Sequence, residues 1–364
     1  MLAYKYNFYN LVQNTMNMLN RKLHSKILIG LLAIAGFSSC KKTNNIGQDN
    51  DSVITTPHTV LAGTELGWIV KTNDGRTFNN VFGQDGSPIK MVTAAGPNVL
   101  ILKSSLFLSD NNGKNFNPVN YSNYTAKPWR YWVMDCPSHN RVYMAANVDW
   151  GVVYSADSGK TWQPDTKWQE NTAPNLRISS FGQLKNGAVF AFNEEYNVLF
   201  RRDGVDGNWN AVTIQGNYPA ASAYFLTTNS TDLFIVDHNG FGGAWYSLNE
   251  GTNWEKFGNG ALPVQGLEKF VGSASGGSGT LAIATENDVY FATTGSAFIK
   301  ANTGLQIGTK ISGITAKYNV YKNGNIINFL YIATTKGVYR SDDNGRTWDK
   351  VSFNEFDKNY SAIY

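Results

Sequence analysis

Past a polar segment that ends near residue 57, short runs rich in β-branched and aromatic residues alternate with clusters of Gly, Asn, Asp, Ser and Thr. Short runs of that composition, bounded by turn residues, predict strands rather than helices. Near the C-terminus "INFLYIATT", "GVYRSDDNG" and "TWDKVS" give three strands in succession, with "KISGITA" as a further strand ahead of them. Corresponding leading strands are "IKMVTAAG", "RYWVMDC", "RISSFGQL", "SAYFLTT" and "LEKFVGS". The first unit, "TVLAGTE", "GWIVKTNDG" and "TFNNVF", has no strand ahead of it, while the chain ends on an unpaired "YSAIY" at 360–364. The C-terminal segment is therefore expected to supply the missing innermost strand of the first unit.

A recurring string marks the last turn of each unit: "KTNDGRTF", "SDNNGKNF", "SADSGKTW", "RRDGVDGNW", "SLNEGTNW", "FATTGSAF" and "SDDNGRTW". Their glycines, Gly75, Gly113, Gly159, Gly207, Gly251, Gly295 and Gly345, are spaced by 38, 46, 48, 44, 44 and 50 residues. Four short strands in roughly 45 residues is the size of one propeller blade. The pattern predicts an all-β fold over residues 58–364: a seven-bladed β-propeller of four-stranded antiparallel blades, closed by the C-terminal strand in blade one. Residues 41–57 read as a flexible tether, being polar and poor in large apolar groups. "GSASGGSGT" at 272–280 reads as a slack inner loop of blade six, without the lysine or spacing of a phosphate-binding loop.

The recurring string resembles the Asp-box, or bacterial neuraminidase repeat, of sialidases and related propellers. Ser155, Asp157, Gly159 and Trp162 match it closely, as do Ser341, Asp343, Gly345 and Trp348. Ser247, Gly251 and Trp254 keep the frame, with Asn249 in place of the acid, as Asn73 and Asn111 are in their copies. The motif is expected to be structural. A short Asp or Asn side chain satisfies the turn's own amides, and glycine supplies the positive φ of a tight reversal. No copy carries the alternating oxygen ligands and final Glu of a calcium loop.

The first forty residues read separately. Arg21, Lys22 and Lys26 precede the apolar run Ile27 to Phe37, and small residues lead to Cys40. This is a secretory signal pattern, with Met16 or Met18 as alternative starts. Its end resembles the lipobox of bacterial lipoproteins, which implies lipidation of Cys40 and a place in the outer membrane or envelope of a Gram-negative cell. The whole chain carries 31 Lys and Arg against 27 Asp and Glu; Lys5, Arg21, Lys22 and Lys26 fall in the signal, which holds no acid, leaving 27 against 27. A neutral mature chain gives no footing for a nucleic-acid partner. Cys136 is left without a disulfide partner and reads as a buried, inert thiol.

Strand alternation puts the boxes on turns between third and fourth strands, counted from the axis. The opposite face is then built from second-to-third turns and the connections between blades. Its loops on blades two to five carry Trp129, Arg130, Trp150, Trp168, Arg177, Tyr196, Tyr218 and His238, aromatic faces with polar neighbours that suit a sugar or a peptide. The competing role for each aromatic is filling the gap between blades. Sialidase activity is rejected: no Arg-Ile-Pro string occurs, and only Arg130 and Arg177 reach this face, too few for a three-arginine carboxylate clamp. A different glycoside hydrolase needs a pair of carboxylates, for which Asp149, Glu194, Glu195 and Asp237 are the candidates. The favoured reading is a monomeric, lipid-anchored, non-catalytic module for a glycan or an envelope protein, with no cofactor and no metal.

Overall fold

The computed structural model describes residues 54–56, 58–83, 85–119, 131–138, 141–146, 152–168, 177–194, 196–204, 206–213, 224–229, 231–237, 243–259, 269–277, 279–352 and 358–364. Strand β1 (Ile54–Thr56) precedes blade one, whose outer strands are β2 (Val60–Thr64), β3 (Ile69–Thr72) and β4 (Asn79–Phe82). Blade two is β5 (Met91–Ala95), β6 (Asn98–Leu102), β7 (Leu106–Ser109) and β8 (Asn117–Pro118). Blade three is β9 (Tyr131–Ser138), β10 (Arg141–Ala146), β11 (Val152–Ser155) and β12 (Gln163–Pro164). Blade four is β13 (Ile178–Gln183), β14 (Val189–Asn193), β15 (Val198–Arg202) and β16 (Trp209–Ala211). Blade five is β17 (Tyr224–Thr228), β18 (Leu233–Asp237), β19 (Ala244–Ser247) and β20 (Glu255–Phe257). Blade six is β21 (Phe270–Ala274), β22 (Thr280–Thr285), β23 (Val289–Thr293) and β24 (Ile299–Lys300). Blade seven is β25 (Ile311–Tyr321), β26 (Ile326–Thr334), β27 (Gly337–Ser341) and β28 (Asp349–Lys350), and β29 (Tyr360–Ile363) ends the chain.

Each blade is antiparallel throughout, and the innermost strands of successive blades lie against one another all the way round. The fold is the expected seven-bladed propeller. Its hydrophobic core is divided to match: seven clusters of buried side chains, each drawn from two neighbouring blades. The sequence pattern follows from this arrangement. A second strand is covered on both faces, so β2, β6, β14 and β18 are buried at every position, whereas the rim strands β8 and β24 are exposed.

Inner strands of different blades do not pair as sheets, and small hydroxyls bond across the gaps instead. Ser180 Oγ accepts from the Leu226 amide at 2.6 Å, Ser312 Oγ donates to the Tyr360 carbonyl at 2.6 Å, and Ser361 Oγ donates to the Ile89 carbonyl at 2.7 Å. The sequence expects slack over 272–280, but the described residues there are tied in. Gly272–Ala274 lie in β21, Thr227 and Ser273 share a hydroxyl contact, and Ser275 accepts from Asn229 Nδ2 at 3.0 Å. Small size there serves close approach of blades five and six.

The boxes occupy the third-to-fourth turns as expected. Ser155 Oγ accepts the Gly159 amide and donates to Asp157 Oδ1, both at 2.7 Å, and Asp157 in turn accepts the amides of Lys160 and Thr161. Ser341 and Asp343 repeat these bonds, and Asn111 and Asn249 perform them with an amide oxygen. Burial pushes Asp157 up, but its bonds from Thr161 and Ser155 outweigh that and hold it below the ordinary carboxylate range. Gly159, at φ 94°, faces Leu100 of blade two; a Cβ there would stand 2.4 Å from Leu100 Cδ2. One expectation is corrected. In blade one Asp74, not Asn73, holds the acid's place: its Oδ1 accepts from Thr72 Oγ1 at 2.7 Å and from the Arg76 and Thr77 amides at 2.8 and 2.7 Å. This box is one residue shorter than those of blades two, three, five and seven.

The ring closes as predicted. β29 pairs with β2 through Ala62↔Ile363, Gly63↔Ala362 and Thr64↔Tyr360, extended by reciprocal bonds between Leu61 and Tyr364 at 3.0 and 2.9 Å. The tether ends sooner than the expected residue 57, since Ile54–Thr56 already pair with Val320 and Tyr321 on the axial edge of β25. Between β1 and β2, buried His58 joins blades one and seven. Its Nδ1 donates to Asn319 Oδ1 at 2.8 Å, and its Nε2 accepts from Tyr331 Oη at 2.7 Å, an assignment that leaves the ring neutral and both nitrogens satisfied.

Burial, aided by the Lys317 and Arg340 charges and opposed by the Asn319 bond and Asp74, lowers His58 to about 4 from the ordinary 6.5. A histidine depressed on folding contributes stability that is complete above about pH 6.5 and lost as pH falls towards about 4, a change of about 3 kcal/mol. The difference in unfolding free energy between wild type and His58→Gln should therefore shrink over that window; urea titrations at successive pH values measure it, and a constant difference contradicts the neutral histidine. Deleting residues 360–364 should lower the melting temperature and broaden the transition, and calorimetry giving an unchanged curve would refute the closure.

Candidate functional site

Antiparallel alternation places the β14–β15 turn and the connection into β13 on the face opposite the boxes, where the sequence placed the candidate residues. On blade four the structure brings two of them together. Arg177 Nε lies 2.6 Å from Glu194 Oε1, and the Glu194 amide bonds the Arg177 carbonyl at 3.0 Å. The Glu194 side chain is 7% exposed and that of Arg177 is 42% exposed. Tyr196, in the same turn, is 52% exposed, and its amide donates to the buried Asn193 Oδ1 at 3.4 Å. Asn197 at φ 52° turns the chain back into β15. The product is a fixed arginine–carboxylate pair beside a tyrosine presented to solvent.

Asp237 ends β18 and is buried, its amide bonded to the Gly243 carbonyl at 3.0 Å. Trp168 requires correction as a ligand contact. It is 6% exposed and stacks on Trp209 with ring centroids 4.5 Å apart and planes 7° from parallel, filling the gap between blades three and four. Its neighbour Asp165 explains the placement: buried Asp165 Oδ2 receives Arg202 Nη1 at 2.7 Å and Trp209 Nε1 at 2.9 Å. Trp129, Arg130, Asp149, Trp150, Glu195, Tyr218, His238 and Cys40 lie outside the described residues. Among the described residues, no three His, Cys, Asp or Glu side chains are grouped to hold a metal ion.

A second cluster was not anticipated. Asp135 and Cys136 on β9, Lys317 on β25 and Tyr364 after β29 belong to innermost strands of blades three, seven and one, and blade three adjoins neither of the other two. Their electrostatic coupling therefore acts across the propeller axis. Lys317 Nζ stands 3.3 Å from the centroid of the Tyr364 ring. Burial lowers Lys317 to about 8, against the opposing pull of Asp135. Burial raises Asp135 to about 6 despite a bond from the Cys136 amide at 2.7 Å and the Lys317 charge. Cys136 is half-buried rather than fully buried as expected, and desolvation with the Asp135 charge still pushes its thiol to about 12, which keeps it protonated. Between about pH 6 and 8 the axis thus holds an ionised carboxylate and an ammonium in poor solvation. The signal for this cluster is Lys317 itself, the lone charge in the eleven-residue strand "ISGITAKYNVY".

The sequence matches no protein-family model and no curated protein sequence. Solved structures do match the fold. A structure described as YCF48 bound to D1 peptide is 14% identical, with a TM-score of 0.50 over 76% of this chain and 89% of that one. An inactive virginiamycin B lyase from Staphylococcus aureus with quinupristin is 15% identical, with a TM-score of 0.51 over 74% of this chain and 86% of that one. An ancestral GH74 enzyme gives a TM-score of 0.51 at 14% identity, over 73% of this chain and 39% of that longer one. The likeness is one of fold. These β-propellers include a peptide complex and two enzymes, so activity has to be argued from this chain's own residues.

Asp135 is the charge that holds Lys317 up, so Asp135→Asn should drop the Lys317 pKa below about 8. An NMR titration of the lysine side chain reads it directly, and an unmoved midpoint would show that the two groups are not coupled across the axis.

Proposed function

We propose that this chain is a non-catalytic recognition propeller, tethered to a bacterial envelope through Cys40, that meets a glycan or protein partner with the face opposite its boxes. The observation that carries the reading is the blade-four turn. Glu194 is bound to Arg177 and largely covered, so it is poorly placed to trade protons with a substrate, while the exposed Tyr196 beside it offers an amphipathic ring on a rigid base. Buried Asp237 is equally unsuited to face a glycosidic bond. The described acids thus favour binding over hydrolysis by a carboxylate pair.

The peptide complex among the structural neighbours is compatible with this use of the fold. Lipidation of Cys40 and residence in the outer membrane of a Gram-negative cell rest on the signal sequence, and a monomer is the expected state. The uncharged balance of the mature chain disfavours nucleic acid as partner.

A glycan and peptide panel screened against the purified chain tests the function. Because Tyr196 is exposed, Tyr196→Ala should leave the melting temperature within a degree or so and weaken binding about tenfold or more. Shortened sugars in the mixtures by mass spectrometry, or undiminished binding by the variant, would overturn the reading. Membrane fractionation tests the anchor separately: Cys40→Ser should release the protein, and retention would refute lipidation.

A further inference from the structure

The junction of blades seven and one holds a cation that lacks a partner its counterparts have. In three blades the third-strand residue just before the box hydroxyl position is basic: Lys71, Arg201 and Arg340, which face Asn79, Asn210 and Asp349 across the rim strand. Two of them reach into the box of the next blade and find the residue that immediately precedes its glycine. Lys71 Nζ donates to Asn112, and Arg201 pairs with Glu250. Asn112 and Glu250 stand at φ 65° and 59°, the left-handed position that pushes a side chain out of the turn.

Arg340 points to blade one, whose box is a residue shorter than those of blades two and five that Lys71 and Arg201 reach. Thr72, Asn73, Asp74 and Gly75 leave no such protruding residue, and Asp74 is consumed by its own turn. Arg340 is 3% exposed, and among the described residues no carboxylate closes an ion pair with it. Its supports are the Tyr331 hydroxyl and the Phe329 ring, whose centroid is 5.1 Å from the guanidinium carbon. Beside Arg340 there is a cavity of about 310 Å³ lined by Arg76, Arg340, Asp349, Lys350 and Val351. A buried guanidinium stays charged, and an uncompensated buried charge is costly unless a counter-ion is supplied.

We propose that this cavity is a binding site for a small oxyanion, the carboxylate, sulfate or phosphate group of a small ligand, held by Arg340 from below and Arg76 from the rim. The planar fork of Arg340 donates to two oxygens at once. Asp349, opposite Arg340 in the ladder, is the one acid of the lining and weakens the site. This site lies at the rim strands and the box turn of blade one, apart from the blade-four turn of the proposed partner face, so either proposal stands or falls alone.

The test is calorimetric titration of the purified chain with inorganic sulfate, inorganic phosphate and glucuronate at constant ionic strength, with chloride as reference. At least one of the three should bind. Arg76→Ser, an exposed change that leaves the fold intact, should weaken it about tenfold, as should Arg340→Met where that variant melts normally, the size expected for one charged hydrogen-bonded contact. Asp349→Asn should tighten it. Which anion binds distinguishes a tetrahedral from a planar ligand group. No heat beyond chloride, or binding untouched by Arg76→Ser, would overturn the proposal.

Discussion

Every blade is a sheet with two apolar faces, and a stack of such sheets has no stable end. Closing the stack into a ring is the constraint on which the rest of this structure depends. Four residues, Tyr360–Ile363, accomplish it by pairing with fully buried β2, so the first and last parts of the propeller share a single blade. The two faces of that blade then join the cores shared with blades seven and two, and no bare sheet is left to recruit another chain. His58, Asn319 and Tyr331 add a polar lock at the same seam.

The ring was legible in the sequence because its signals are local and repeated. Each box carries its own hydrogen bonds within a few residues, so the Ser155–Asp157–Gly159 geometry follows from composition and order alone. The missing leading strand of the first unit and the surplus "YSAIY" at the end then implied their pairing. The sequence is ambiguous where a single residue or a distant partner decides. The deletion in the blade-one box moves the acid's role from Asn73 to Asp74, a shift of one position that spacing from Gly75 conceals. Trp168 carries the same aromatic signal whether it faces a ligand or the blade gap, and only Asp165 and Trp209, brought from either side, decide it.

The candidate sites were less legible for the same reason. Arg177 and Glu194 lie apart in the sequence, and their pairing depends on two loops meeting over blade four. The axial cluster joins β9, β25 and the C-terminus, which are far apart in sequence, and its perturbed acidities come from burial that only the closed ring creates. Arg340 is likewise an ordinary strand residue until the short box of blade one is set beside it. The candidate sites thus lie where repetition fails: at a turn, on the axis and at the closing seam.

Ring closure can be read most directly by hydrogen exchange resolved to single amides. The amides of Leu61 and Tyr364, which bond each other's carbonyls, should exchange only through global unfolding, as slowly as those in the middle of β6 and β18. Exchange of Leu61 and Tyr364 by local fraying, orders of magnitude faster than those strands, would contradict a propeller held shut by its C-terminus.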